Sequence, residues 1–172
     1  FFKDDTRHVV SPPPRSKRAL LFQVGNFSPN GVTASFNRLA GSVDPDRVSM
    51  TVVVDPWTLE SYPQRLERFA ELPAHVARWG RISFPVATRE QQWLSARQGG
   101  REVLNPRQQR LLDTYYVREY ARQFGSADFD VVVDFSGYAA FWTALFARGR
   151  PPGTRCAVYL HNDMDQELRS RH

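Results

Sequence analysis

Two clusters in this sequence combine residue types suited to chemistry with a place directly behind an apolar run. Asp134, Phe135, Ser136, Gly137 and Tyr138 follow the valine-rich run 129–134, and His161, Asn162 and Asp163 follow Ala157-Val158-Tyr159-Leu160. A histidine changes charge near neutral pH, so His161 could orient or exchange a proton with a ligand hydroxyl; a structural hydrogen bond is the alternative, and both readings stay open. Asp134 could accept hydrogen bonds from a substrate or from the amides of Ser136 and Gly137, and these readings also stay level. Asn162 and Asp163 extend the polar cluster around His161, and they can at the same time cap a helix from Met164 onward. Asp163 and Asp165 spell D-x-D, a pattern that can hold a divalent metal, but acidic residues are also favoured in a first helical turn; that reading is preferred, and no metal is expected. Ser136 lacks the G-x-S-x-G frame of a hydrolase elbow, which argues against a serine nucleophile.

A third stretch, Gly25-Asn26-Phe27-Ser28-Pro29-Asn30-Gly31, joins an apolar run to a helical pattern. Gly25 and Gly31 would permit a tight turn, with Asn30 and Gly31 suited to positive φ. Such a loop also gathers unpaired amides at a helix N-terminus, and it is read here as a site for a phosphate or a cluster of sugar hydroxyls. The spacing is neither the dinucleotide G-x-G-x-x-G nor a phosphate loop, since no lysine follows Gly31, which weighs against nicotinamide cofactors and ATP.

The elements around these clusters read as α/β, a Rossmann-like parallel sheet flanked by helices. Strands are expected at 19–24, 48–55, 129–134 and 155–160, and a less regular one at 75–84. Val32, Phe36, Leu39, Ala40 and Val43 give one helix a buried face. Further helices are expected at 59–72, 90–100 and 138–147. The longest has Asn105 as its cap, Pro106 in its first turn and Gly125 beyond its end. Its tyrosine row, Tyr116 and Tyr120 with Tyr115 beside it, fits core packing better than a platform for nucleic-acid bases. In open α/β sheets ligands lie beyond the carboxyl ends of the strands, which makes 134–138 and 161–163 the two places to look for chemistry.

The 172 residues suffice for one domain, and residues 1–18, with three consecutive prolines and basic neighbours, read as an arm or linker before a domain at 19–172. Phe1 in place of methionine and the polar closing run MDQELRSRH lead us to expect a piece of a longer protein. No run approaches the roughly 20 apolar residues of a membrane span, and with no signal-like opening the expectation is a cytoplasmic protein. The net charge of +5 is read as a solvated surface, with attraction to an anionic partner or an inner-leaflet membrane as the alternative. The single cysteine, Cys156, is read as core filler.

The segments GNFSPNGVTASFNRLAGSVDPDR and FDVVVDFSGYAAFWTALF, the latter followed by AVYLHNDM, resemble the amino-terminal domain of GT-B glycosyltransferases. The resemblance is to the bacterial wall-polymer and capsule branch, near CDP-glycerol glycerophosphotransferases. It implies a Rossmann-like domain facing a second one across a reaction cleft, with a nucleotide-sugar donor as co-substrate, no metal and a polymer or lipid-linked acceptor. It places Gly25, Asn26, Asn30 and Gly31 by the donor diphosphate and acceptor, and His161 against the transferred group. It further implies that the nucleotide is gripped by a carboxyl-terminal domain absent from this chain, which would then be inactive alone, and loose membrane association. Two rivals remain: transfer of glycerophosphate from CDP-glycerol, and a non-catalytic α/β anion-binding module.

Overall fold

The computed structural model describes residues 16–161 except 80, 81, 100, 101, 126 and 138. Strands β1 (Arg18–Gln23), β2 (Val48–Val53), β3 (Val76–Arg78), β4 (Val131–Asp134) and β5 (Arg155–Val158) form one all-parallel sheet in the order β3-β2-β1-β4-β5. Helices α1 (Gly31–Ser42), α2 (Pro56–Ser61), α3 (Arg89–Gly99), α4 (Pro106–Phe124) and α5 (Ala140–Gly149) occupy the connections, with a 3-10 helix at Pro63–Glu71. This is the α/β, Rossmann-like arrangement that the sequence indicates.

Alternation along the central strands divides the core into two layers. Ala19, Leu21 and Val132 face α4 and α5, where they meet Leu112, Tyr116, Tyr120, Trp142 and Phe146. Phe22, Val24, Val133 and Phe135 face α1, where they meet Phe36 and Ala40. Side chains such as Leu21, Phe36, Leu145 and Phe146 are wholly buried, and each contributes about 1.5–3 kcal/mol through removal of apolar surface from water. The α4 helix begins as expected, its Asn105 accepting from the Gln108 amide while Gln108 accepts from the Asn105 amide.

Four expectations need correction. The helix expected at 59–72 is two elements. Pro56, which breaks β2, opens α2 under an Asp55 cap, and Pro63 forces Tyr62 to an extended φ of −142°, so the chain resumes as the 3-10 helix. The strand expected over 75–84 is only Val76–Arg78, since its partner β2 ends at Val53 and offers no further ladder after Trp79 N donates to Val52 O. The helix expected from 138 starts at Ala140 and runs to Gly149. In the glycine loop the positive φ belongs to Gly25 (81°) and Phe27 (50°), whereas Asn30 is extended at −141°. Residues 1–15 of the expected arm lie outside the described residues, and Arg18 already pairs in β1.

Candidate functional site at the carboxyl edge of the sheet

The strand order reverses direction between β1 and β4, and the connections leaving those two strands run to opposite faces: α1 follows β1 and α5 follows β4. That divergence opens a crevice at the carboxyl ends of the two strands, the usual ligand position in a doubly wound sheet. The glycine loop and the segment 134–137 form its two sides.

The crevice rests on a buried polar network. Asp134 is fully buried, and its Oδ1 accepts from Ser136 Oγ and from the Gly137 amide, both at 3.0 Å, while its Oδ2 accepts from Thr143 Oγ1. With its carboxamide nitrogen turned toward β4, Gln23 donates to Ser136 Oγ (2.9 Å) and to Asp134 Oδ1 (3.2 Å) and accepts from the Gly25 amide (3.0 Å). The two loops are thereby tied together beneath the crevice, and Phe135 N donates to Gln23 O at 2.8 Å as the last rung. Of the two roles left open for Asp134, the carboxylate performs the internal one: both oxygens accept from groups of the protein. Ser136 is likewise buried within this network. Sequence reasoning missed Gln23 and Thr143. A glutamine closing the otherwise apolar run ALLFQV was the available signal, because a polar side chain in a buried strand needs partners.

On the other side of the crevice, Asn26 Oδ1 accepts from the Ser28 amide and Asn30 Oδ1 from the Thr33 amide, each at 3.1 Å. Asn26 shapes the loop, and Asn30 caps α1. Gly31 is the first residue of α1, with nothing within 4 Å of the Cβ it lacks. The amides of Gly31 and Val32 have no acceptor among the described residues, and no acidic side chain stands in the first turn. Among the described residues the positive end of the α1 dipole is left without an acceptor at these two amides.

His161 reaches the same edge from β5. Just beyond Val158, Tyr159 N donates to Asp134 O at 2.9 Å. Phe135 and Tyr159 stack at 4.5 Å, and the His161 ring packs 5.1 Å from Phe135 and 4.7 Å from Tyr159. Its Nε2 lies 2.6 Å from Phe135 O. A carbonyl oxygen only accepts, so Nε2 carries the hydrogen, and in the neutral ring Nδ1 presents a lone pair. Nδ1 has no partner among the described residues. The structural reading of His161 is thus realised at Nε2, and Nδ1 is left able to accept a hydrogen bond. Gly137, at φ 68°, lies beneath this segment, and a Cβ there would come 2.8 Å from Tyr159 O.

Tyr138, Asn162, Asp163 and Asp165 lie outside the described residues. Among the described residues, no three His, Cys, Asp or Glu side chains are grouped to hold a metal ion, and no helix is long and apolar enough to cross a membrane. No protein-family model matches the chain, and no curated protein matches it.

Proposed function

We propose that this chain is the amino-terminal, acceptor-side domain of a GT-B glycosyltransferase that transfers a sugar from a nucleotide donor to a bacterial wall or capsule polymer. The observation that carries the reading is the meeting, at one switch point, of the loop into α1, the 134–137 turn and His161. Sugar transfer joins an acceptor hydroxyl oxygen to the anomeric carbon, releases that hydroxyl's proton to water, and breaks the bond from the carbon to the diphosphate oxygen, so the diphosphate leaves with added negative charge. The Gly31 and Val32 amides supply donors fixed in advance at the positive end of a helix, the arrangement that favours such a charge as it develops. Nδ1 of His161 accepts from a hydroxyl of the transferred group or of the acceptor and holds it in place. Asp134, Gln23 and Ser136 act on neither; they hold the two loops in register. A second domain of the same protein would grip the nucleotide and close the crevice.

The test is to offer full-length protein carrying this chain a panel of UDP-sugars and CDP-glycerol with a polymer acceptor. Release of UDP from one UDP-sugar is expected. Release of CMP from CDP-glycerol alone would move the assignment to glycerophosphate transfer, and no turnover with any donor would leave an anion-binding module.

A further inference from the structure

A cavity of about 420 Å³ opens on the other face of the same sheet edge, beside the start of α5. Ala139 and Ala140 line it, the second and third residues beyond Gly137. Ile82, Tyr115, Phe141 and Trp142 form apolar walls. At its mouth Trp57, 61% exposed, packs edge-on against Phe84 at 4.5 Å.

The wall at 82–87 belongs to no helix or strand, yet side chains of α4 hold its backbone. Gln123 exchanges hydrogen bonds with Ser83 N (3.1 Å) and Ser83 O (2.6 Å), and Arg122 donates to Phe84 O at 2.8 Å. Val86 N donates to Glu119 Oε2 at 3.2 Å, and Arg118 donates to Val86 O. Glu119 is itself completely buried. A segment anchored this way stands off from Trp142 and keeps the space between them open.

The Asp55 carboxylate and the Gln92 and Gln123 amides of the lining are turned to the protein, which leaves the Ser83 and Tyr115 hydroxyls without a partner among the described residues. Asp55 accepts from the Trp57 amide (2.9 Å) and from Trp142 Nε1 (2.8 Å), Gln123 is engaged with Ser83, and Gln92 donates to Ala87 O at 3.4 Å. A site that reads sugar hydroxyls or an ionic head presents free donors and acceptors, whereas this one offers chiefly carbon surface. We infer that the cavity is a binding site for an uncharged hydrocarbon group of a small amphiphile, with the amphiphile's polar part left at the mouth beside Trp57. Identifying that group as the apolar portion of the acceptor rests on the transferase reading above; the binding site itself does not.

The experiment is an NMR titration of this chain with octyl β-glucoside below its micelle concentration, phenyl β-glucoside and glucose, following the Trp142 indole and the Ala140 and Phe141 amides. Saturable shifts at these groups with an apolar glucoside, and none with glucose, are expected, the tighter of the two distinguishing a chain from a ring. Ala140 is exposed, so Ala140→Phe can fill the mouth without disturbing the core. It should weaken binding by about tenfold, or about 1.4 kcal/mol, at unchanged Tm, and Trp57→Ala, which trims the exposed lip, should weaken it in the same direction. Equal shifts with glucose, shifts that do not saturate, or unaltered binding by Ala140→Phe would overturn the inference. No nucleotide donor enters this assay, so it and the transferase reading fail separately.

Discussion

Asp134 and His161 show how residues of similar promise in a sequence divide once their surroundings are known. Asp134 is wholly buried and accepts from Ser136, Gly137 and Thr143. Asp134→Asn replaces an acceptor oxygen with a donor facing other donors, leaving at least one buried group unpaired, and it should cost about 1–3 kcal/mol. Urea unfolding measures it, and a wild-type midpoint would contradict the assigned role. A strand-end acid before a glycine is compatible with substrate contact or loop support, and the sequence alone could not decide because the deciding partners, Gln23 and Thr143, lie on other elements. His161 was more legible. Its place after a strand marked it correctly for the sheet edge, but its hydrogen bond to Phe135 O, and so the nitrogen left for a ligand, depends on a contact 26 positions away.

At the scale of elements, helices with caps and unbroken periodicity were readable, while connections were not. Asn105, Pro106 and Gly125 bounded α4 because capping is local chemistry within a few residues. The break at Tyr62 and Pro63 was equally local, yet it was hidden by apolar spacing that continued across it. The short β3 was illegible for a different reason: a strand ends where its neighbour does, and β2 ends at Val53. The turn between β4 and α5 carries the sharpest element-scale prediction. Gly137 combines φ 68° with a missing Cβ that would meet Tyr159 O at 2.8 Å, so an alanine there strains the turn and also pushes the segment leading to His161. Gly137→Ala should lose about 1–3 kcal/mol and displace the His161 ring resonances in an NMR spectrum. An unmoved His161 would show that the turn does not position it.

For the whole molecule, the parallel sheet was legible because strands buried on both faces read as valine-rich runs, whereas their order in space, and so the switch point, required the structure. The same packing makes stability sensitive to alkali. Burial first, and then the neighbouring Glu119, push the Tyr115 phenol from 10.0 up to about 12; burial first, and then Asp128 and Cys156, raise Tyr120 to about 12. A phenol whose pKa is raised on folding favours the native state while neutral, so this contribution is complete below pH 10 and is lost as pH rises from 10 through about 12. Tyr120→Phe also removes a buried hydroxyl that has no hydrogen-bond partner among the described residues. It should leave neutral-pH stability unchanged or higher and reduce the alkaline loss, as measured by urea unfolding across that range; an equally steep loss in the variant would contradict this. Sugar transfer at the switch-point crevice, with His161 holding a hydroxyl, is tested most directly by UDP release from full-length protein and its His161→Ala variant over the UDP-sugar panel. The account predicts turnover with one UDP-sugar and a fall of about a hundredfold in kcat for the folded variant; wild-type turnover by His161→Ala, or no UDP release from any donor, would contradict it.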